Sequence, residues 1–374
     1  MLKLSIIIAL YNNRIYIKDC IDSIYQQSLS EDEFEVIVVD DCSTDGGGDW
    51  VEQYYSNRSN LRVVHHDVNK GLGEARNTGL KNAKGNYLHF VDADDFILAG
   101  SYRYLIDNIL PLESDVIYTS FVRNGLVGDS FENKPVSYTG SIRGYVCANS
   151  MSVLIWRKIF KRTFIERNKL HWLPISYNED TLFTWNALHY EGALTTWQAK
   201  IYSYRTNENG IVRVRNVEQV KKTIDDLIIV NQQLKSFADY YQNCRPVFES
   251  FTMRYLILFN RILCTPYSYK EQKEIFARCA EIGTKHLIGG KQIKIIDFIY
   301  RHPRLYRMTQ RFVLIAYFGC NRISEHEGDY LSHRLSDGSC MRLINNALSY
   351  VLWLFYRVFA KIKRGLFAGR MCSL

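Results

Sequence analysis

The chain has 374 residues and a mass of 43.7 kDa, with 47% hydrophobic and 23% charged residues. These values are ordinary for a globular protein and exclude a largely disordered chain, and the length allows two domains. The formal net charge of +8 is moderate, and we expect no nucleic acid among the partners. The sequence has no run of about 18 apolar residues, so we expect no conventional membrane-spanning helix.

Residues 4–118 alternate between apolar runs and segments with helical periodicity. The runs, in chain order, are LSIIIAL, FEVIVVD, LRVVHH, NYLHFVD and SDVIYTS. Between them, segments such as IYIKDCIDSIYQQS have apolar residues three and four positions apart. This repetition of strand and helix predicts an α/β fold, a mostly parallel sheet flanked by helices.

The rest of the chain divides into three stretches. Residues 119–145 look irregular and polar, and helical periodicity returns between residues 156 and 192. After residue 216 the composition favours helices and is poor in strands. We therefore predict an α/β domain over residues 1–215 and a helical C-terminal region over residues 216–374.

The nine cysteines are odd in number and never form a C-x-x-C pair. This argues against a disulfide framework or a thiolate zinc site and indicates the reducing cytosol. The opening sequence MLKLSIIIALYNN has Tyr-Asn-Asn where a signal peptide would have a small-residue cleavage site. We therefore predict a cytoplasmic protein whose first apolar run is a buried strand.

Polar residues follow three predicted strands at the point where each strand ends. They are Tyr11 and Asn12, Asp40 and Asp41, and the stretch 92–94. In such sheets, ligands bind beyond the carboxyl ends of the strands. The Asp41 carboxylate could accept the imide proton of a uracil, although acidic residues also begin turns. The three strand ends together predict a nucleotide pocket.

Three carboxylates, Asp92, Asp94 and Asp95, follow the fourth apolar run. Carboxylates this close repel one another unless a positive group lies among them. In an extended chain, Asp92 and Asp94 point to one side and Asp95 to the other, and their oxygens suit Mg²⁺ or Mn²⁺. A D-x-D alone is a weak motif, and a solvated acidic turn is the alternative. The position after a buried strand favours the metal.

The segment NKGLGEARNTGLKNAKG begins at Asn69 and has glycines at positions 71 and 73. It differs from a dinucleotide-binding fingerprint because Arg76 stands at the sixth position and because it does not close the first strand-to-helix turn. What remains is a glycine-bearing loop that leads into a helix with Arg76 in its first turns. Backbone amides and a guanidinium there can bind phosphates, although an ordinary loop with a surface arginine has the same pattern.

Glu179 and Asp180 stand at the start of a helical pattern in YNEDTLF. An acid in the first helical turn usually compensates the helix dipole. The functional alternative makes one carboxylate a general base. A helix N-terminus lowers the pKa of a carboxylate, so burial or nearby phosphate charge would have to raise it.

Four segments together, SIIIALYNN, VIVVDDCSTDGG, NKGLGEARNTGLKNAKGNYLHFVDADD and NEDTLF, resemble family 2 glycosyltransferases with the GT-A fold in order and spacing. The resemblance covers residues 3–215. It implies a GT-A type, Rossmann-like sheet with a helical C-terminal extension. It also implies inverting transfer of a sugar from a nucleotide donor, usually UDP-linked, with Mn²⁺ or Mg²⁺ as the cofactor.

The resemblance also implies roles for single residues. Asp180 matches the family's base. Asp92 and Asp94 match the D-x-D, the first directed toward the ribose or a bound water and the second toward the metal. Matches to positions around the nucleobase, ribose and phosphates are Ala9, Tyr11, Asp41, Asn69, Arg76 and Arg205. We hypothesise that Asp180 takes the acceptor proton while the metal and Arg76 neutralise the departing diphosphate.

Four positions depart from the family pattern. Ala9 replaces a frequent proline and Cys42 a usual glycine, and neither change removes a chemical group. Asn207 and Gly210 stand where many relatives carry a histidine and a serine, which puts a third protein ligand to the metal in doubt. The missing histidine leaves open a catalytically silent sugar-nucleotide-binding protein. A second alternative is a D-x-D metal-dependent phosphohydrolase, because DADDF superficially matches the nucleophile motif of that class.

The end of the chain is basic and apolar. Residues 341–374 contain no Asp or Glu and six Lys or Arg residues, within an aromatic segment with a polar helical stripe. This profile predicts peripheral contact with an anionic membrane through residues 341–370, although a core helix has a similar pattern. We expect a nucleotide-sugar donor and a glycan or lipid-linked acceptor in surface polysaccharide synthesis. The sequence does not identify the donor sugar, the acceptor or the oligomeric state.

Overall fold

A computed structural model describes residues 2–149, 151–206 and 217–241, together with 244, 258, 271, 274–275 and 278. The strands are β1 (Leu4–Leu10), β2 (Phe34–Asp40), β3 (Leu61–His65), β4 (Tyr87–Asp92), β5 (Phe96–Ile97), β6 (Val116–Arg123), β7 (Val136–Ser141), β8 (Lys158–Lys161) and β9 (Ala193–Tyr204). The α-helices are α1 (Arg14–Tyr25), α2 (Gly47–Tyr54), α3 (Leu72–Asn82), α4 (Ser101–Tyr104), α5 (Ile142–Ala148), α6 (Arg162–Arg167), α7 (Glu179–Leu188) and α8 (Val217–Tyr240). A π-helical turn (Leu105–Ile109) and two 3₁₀ turns (Leu110–Leu112 and Ile155–Arg157) also occur.

The described strands form one nine-stranded sheet in the order β3-β2-β1-β4-β8-β6-β9-β5, and β7 also pairs with β9. β3, β2, β1 and β4 are parallel to one another. β8 is antiparallel to β4 and β6, whereas β6 and β9 are parallel. The predicted α/β fold with a mostly parallel sheet flanked by helices is confirmed.

Burial explains why the apolar runs form the parallel half of the sheet. All seven residues of β2 and six of the seven in β1 are buried, as expected for strands covered on both faces. α1 packs through Ile17, Ile21 and Ile24, which recur at helical spacing. α3 approaches β1 closely, because a Cβ atom at Gly79 would lie 2.2 Å from Cγ2 of Ile7. Glycine at that position lets the helix pack against the strand.

Two segments differ from the sequence-based prediction. Residues 119–145, predicted to be irregular, contain most of β6, all of β7 and the start of α5. β7 is largely exposed and forms because its backbone pairs with β9, so it lacks the hydrophobic alternation that marks a strand. The helical prediction over 156–192 is wrong at β8, whose four residues pair with β4 and β6.

One disulfide contradicts the expectation from cysteine spacing. Cys147 and Cys244 are disulfide-bonded, and their Cα atoms lie 4.6 Å apart. The pair is separated by 97 positions, so no local spacing pattern could indicate it. Cys20, which is buried, and Cys42, which is partly exposed, are free thiols.

The C-terminal part of the chain is described only in pieces. Chain contacts define one unit over residues 1–289 and a second over residues 290–374, and the second lies outside the described residues. α8 is helical, in agreement with the predicted composition of this region. The predicted domain boundary at 215 remains a prediction.

The predicted membrane-contacting segment 341–370 and the departures at Asn207 and Gly210 also lie outside the described residues. None of the helices in the described part of the chain combines the length and apolar character needed to cross a membrane.

Candidate active site

The register of the parallel strands brings their carboxyl ends to one edge of the sheet. Ala9 of β1 is paired with Val39 of β2 and with Asp92 of β4. Asp40, the last residue of β2, is paired with His65, the last residue of β3. Four neighbouring strands therefore end together, and the loops that follow them form one rim.

Asp41 is a central hydrogen-bond acceptor at this rim. Its carboxylate accepts the backbone N–H groups of Lys70 and Gly71, each at 2.8 Å, and lies 2.7 Å from Nδ1 of His66. Asn69 Nδ2 donates to the Asp41 carbonyl at 3.3 Å. Asp41 is only 3% exposed, and these bonds satisfy a carboxylate that would otherwise be costly to bury. Asp41 thus ties the loop after β2 to the start of α3, and its contact with a nucleobase remains a prediction.

Side chains also join the loops after β1 and β2. Asn12 Oδ1 accepts the Thr44 N–H at 2.8 Å, and Asp45 Oδ2 accepts the Arg14 N–H at 2.9 Å. Tyr11 lies beside these bonds and is 42% exposed. A ring that is exposed on a fixed loop can stack on a base, in keeping with the predicted role of Tyr11.

The acidic stretch turns directly after β4. The Asp95 N–H donates to the Asp92 carbonyl at 3.1 Å, so Asp94 lies in a turn and the alternation of an extended strand does not apply to it. Asp95 is buried against β9, and its carboxylate accepts the Tyr202 hydroxyl at 2.6 Å and the Arg205 N–H at 2.7 Å. The third carboxylate therefore fixes the turn from inside, and its burial raises the pKa of Asp95 well above its ordinary value.

Arg76 lies at the centre of a cluster of acidic side chains at this rim. Its guanidinium lies 2.6 Å from the carboxylate of Asp180, 2.9 Å from that of Asp92 and 3.4 Å from that of Glu179. The Arg76 side chain is 3% exposed. Because α3 supplies Arg76, β4 supplies Asp92 and α7 supplies the other two, this cluster joins the D-x-D to the start of α7. The sequence predicted Arg76 near the donor diphosphate, but not these three contacts.

The charges within this cluster do not balance, since three carboxylates face one guanidinium. Burial raises the pKa of Asp180, and the charge of Asp92 adds to this effect while Arg76 opposes it. Burial and the neighbouring Asp180 charge raise the pKa of Glu179 to about 8. A carboxylate with a raised pKa is better matched to proton transfer near neutral pH. Burial thus raises the pKa of Asp180 and opposes the lowering that a helix N-terminus causes.

Lys158, which the sequence reasoning did not single out, is a second cation near Asp180. Its side chain is fully buried, and Nζ donates to the carbonyls of Ser152 at 2.7 Å and Leu154 at 2.8 Å. Burial lowers the pKa of Lys158 well below its usual value, and the positive charge acts to lower the pKa of Asp180. The sequence offers one signal for Lys158, its position directly before the apolar pair in the four-residue strand KIFK.

Arg205 is held against α1. Its guanidinium lies 2.9 Å from the Asp19 carboxylate and covers the rings of Tyr16 and Phe96 at 5.0 and 5.6 Å. Its backbone N–H is the donor to Asp95 described above. Contact between Arg205 and a donor phosphate remains a prediction.

Asp92 and Asp94 fit a divalent cation as part of a ligand set. Among the described residues, no group of three or more His, Cys, Asp or Glu side chains is arranged to hold a metal ion. Mg²⁺ and similar ions are often bound by one or two carboxylates together with substrate phosphates and water. The Asp92 side chain remains 29% exposed beside Arg76, so the pair suits a cation that arrives with its phosphates.

Comparison with known proteins identifies the class. Residues 5–182 match the family model for glycosyl transferase family 2. With the sheet and rim described above, this segment belongs to family 2 of the glycosyltransferases. The predicted enzyme class is confirmed, and the alternative of a phosphohydrolase is wrong.

Two bacterial relatives are similar to this chain. It is 29% identical over 247 residues to the uncharacterized glycosyltransferase EpsJ of Bacillus subtilis, covering 63% of this chain and 70% of EpsJ. It is 32% identical over 212 residues to the poly(ribitol-phosphate) beta-N-acetylglucosaminyltransferase TarS of Staphylococcus aureus, covering 56% of this chain and 36% of TarS. The match therefore spans only about a third of TarS.

A solved structure of S. aureus TarS residues 1–349 in complex with UDP-GlcNAc has the same fold. The two superpose with a TM-score of 0.54 at 22% sequence identity, covering 81% of this chain and 92% of that chain. At this identity, the likeness shows the fold alone.

Proposed function

We propose that this protein transfers a sugar from a UDP-linked donor, with inversion, to a hydroxyl group of a glycan or lipid-linked acceptor in surface polysaccharide synthesis. The observation that carries the proposal is the cluster in which Arg76 bonds both Asp180 and Asp92, at 2.6 and 2.9 Å. This cluster brings the proposed base Asp180, the Arg76 cation and the D-x-D together at the carboxyl ends of the strands.

Inversion results from a single displacement in which Asp180 is the general base. Asp180 accepts the proton of the acceptor hydroxyl, and the hydroxyl oxygen forms a bond to the anomeric carbon. The bond from that carbon to the diphosphate oxygen breaks, and the nucleoside diphosphate leaves with the electron pair. The raised pKa of Asp180 supports this role.

Arg76 organises the step by holding two carboxylates in place. Its bonds to Asp180 and Asp92 fix the base relative to the D-x-D, and fixed geometry of this kind lowers the barrier of a bimolecular step. Its positive charge also lies beside the D-x-D, close to where the leaving diphosphate gains negative charge.

Asp94 and Asp92 would hold Mn²⁺ or Mg²⁺ together with the donor phosphates. A divalent cation bound there neutralises charge on the leaving diphosphate. A cation beside Asp92 and Asp94 would also reduce the repulsion within the acidic stretch.

The remaining rim residues would bind the donor. We assign Ala9, Tyr11 and Asp41 to the nucleobase and ribose, and Asn69 and Arg205 to the nucleotide and its phosphates. The similarity to TarS, solved with UDP-GlcNAc and named for a poly(ribitol-phosphate) acceptor, supports a UDP donor and a surface polymer as the acceptor.

We place the reaction in the cytoplasm, with residues 341–370 on the inner face of the plasma membrane. The basic and aromatic composition of that segment supports the membrane contact. The Cys147–Cys244 disulfide argues against a strictly reducing compartment, because disulfides are rare in cytosolic proteins. Fractionation of cells that express the full chain, or the chain cut before residue 341, tests both points.

The direct test is release of nucleoside diphosphate from a panel of sugar nucleotides in Mn²⁺, Mg²⁺ or EDTA. We expect one UDP-sugar to turn over with metal and not with EDTA. Asp94→Asn should lower that turnover about 100-fold or more, a loss in the range of other charge-stabilising groups. Asp32→Asn, which changes an exposed carboxylate away from the rim, is the matched control and should match the wild type.

Two outcomes would contradict the proposal. If Asp94→Asn turns over normally with saturating Mn²⁺, the D-x-D does not hold the metal. If one donor binds tightly and is never consumed with any acceptor, the protein is a sugar-nucleotide binder.

A further inference from the structure

We propose that Asp226 of α8 is a positioning residue for the base Asp180, so that α8 completes the active site from outside the family 2 segment. α8 begins at Val217, beyond the matched residues 5–182. The inference rests on the proposed function of Asp180.

The carboxylate of Asp226 binds the loop that leads into α7. Its Oδ2 atom accepts the Ser176 N–H at 2.9 Å, and its carboxylate also accepts the Tyr177 N–H. These residues lie four and three positions before Asp180. Asn178, between them and α7, has a left-handed backbone with φ of 61°, and its Oδ1 atom accepts the Thr181 hydroxyl at 3.1 Å. The carboxylate of Asp226 therefore holds the two residues that directly precede Asn178 at the entry to α7.

The location of Asp226 fits a specific role rather than a solvated helix position. Asp226 is 6% exposed, whereas its neighbour Asp225 has an exposed side chain that pairs with Arg278 at 3.2 Å. A buried carboxylate is costly unless it is hydrogen-bonded, and Asp226 obtains its bonds from the loop before Asp180.

α8 also contacts the other end of α7. The Tyr241 hydroxyl donates to the Leu188 carbonyl, and the rings of Phe237 and His189 lie 5.0 Å apart. Near this end, the Cys147–Cys244 disulfide joins α5 to the residues after α8. α8 thus follows α7 from the loop before Asp180 to its last turn.

Small displacements of this loop matter because Asp180 works at contact distance. Its carboxylate lies 2.6 Å from the Arg76 guanidinium, and a misplacement of about 1 Å can cost roughly 100-fold in rate. The donor-side residues lie on other loops of the rim, so release of residues 176–178 should lower kcat and leave nucleotide affinity unchanged.

The test compares Asp226→Ala, Asp226→Asn and the matched control Asp225→Asn in the full chain. Turnover of the donor gives kcat and KM, UDP titration gives the nucleotide Kd, and thermal unfolding gives Tm. We expect Asp226→Ala to lower kcat about tenfold to 100-fold with an unchanged UDP Kd. Asp226→Asn should recover part of the loss, because its one side-chain oxygen can accept one of the two bonds. Asp225→Asn should match the wild type.

The inference is overturned if Asp226→Ala keeps the wild-type kcat, or if kcat and UDP affinity fall by the same factor. If Asp226→Ala does not fold, Asp226→Asn decides: lower kcat with wild-type UDP affinity supports the role, and wild-type kcat contradicts it. Asp180→Asn separates the two proposals. If Asp180→Asn is active, the proposed function fails; if it is inactive while Asp226→Ala is fully active, only this inference fails.

Discussion

Two sides of the rim use aspartates in different ways. Around Asp41, backbone N–H groups donate to the carboxylates: Asp41 accepts from Lys70 and Gly71, and Asp45 accepts from Arg14. Around Arg76, the carboxylates of Asp92, Glu179 and Asp180 share one guanidinium.

The difference shows what each side contributes. Carboxylates bonded to backbone amides are satisfied within the fold, so they build a rigid frame and keep loops in place. Of the three carboxylates that outnumber their counter-charge, Glu179 and Asp180 have pKa values raised by burial, the property that proton transfer near neutral pH requires.

The largest stability effect should come from Arg76→Met. This change leaves three carboxylates buried or half-buried without their cation, and the loss of one partner from a buried ion pair costs about 3–5 kcal/mol. We expect urea unfolding to show a loss of this size. Arg58→Met is the control, because its ion pair with Glu31 is more exposed, at 40% and 34% of the two side chains, and should cost about 1 kcal/mol or less. Equal losses for the two variants would mean that Arg76 does not compensate the cluster.

The second effect compares the same substitution on the two sides. Asp41→Asn puts an NH₂ group against a backbone N–H and should lower the free energy of unfolding by about 1–3 kcal/mol. Asp180→Asn removes one of three repelling carboxylates while Arg76 keeps the other two, so it should lower that free energy by less than about 1 kcal/mol. If Asp180→Asn proves the more destabilising in urea, the proposed contrast between frame and reactive cluster is wrong.

A smaller effect should appear in the pH dependence of stability. The pKa of Glu179 is raised to about 8 in the folded protein. Between the ordinary pKa of a glutamate and this value, the folded state keeps a proton that the unfolded chain has released. The free energy of unfolding therefore falls as pH rises between the two pKa values. Glu179→Gln cannot titrate and should gain stability relative to the wild type as pH is raised from about 5 to 8. Urea unfolding in EDTA at each pH measures the free energies of the two proteins. A loss of stability for Glu179→Gln relative to the wild type over the same pH range would contradict the prediction.

The first half of the fold, from β1 to β4, could be predicted from the sequence because its signals are local. Continuous apolar runs form β1, β2 and β4, and the turn residues after them mark the rim. Arg76 could be assigned to this rim, but its three carboxylate partners could not, because Asp180 lies 104 positions away.

The later half of the described fold, from β6 to α8, was predicted less well for the same reason. β7 exists through backbone pairing with β9, and Asp226 meets Ser176 across 50 positions. Neither contact leaves a periodic pattern in the residues themselves. The disulfide between Cys147 and Cys244 is a further contact of this kind.

The most direct test of the central claim, that Asp180 is the base held by Arg76, is donor turnover by Asp180→Asn. The measurement pairs the rate of UDP release at saturating UDP-sugar and metal with the Kd for UDP. Loss of a general base predicts a fall of about 10²–10⁴-fold in rate with an unchanged UDP Kd. A rate within tenfold of the wild type would contradict the claim.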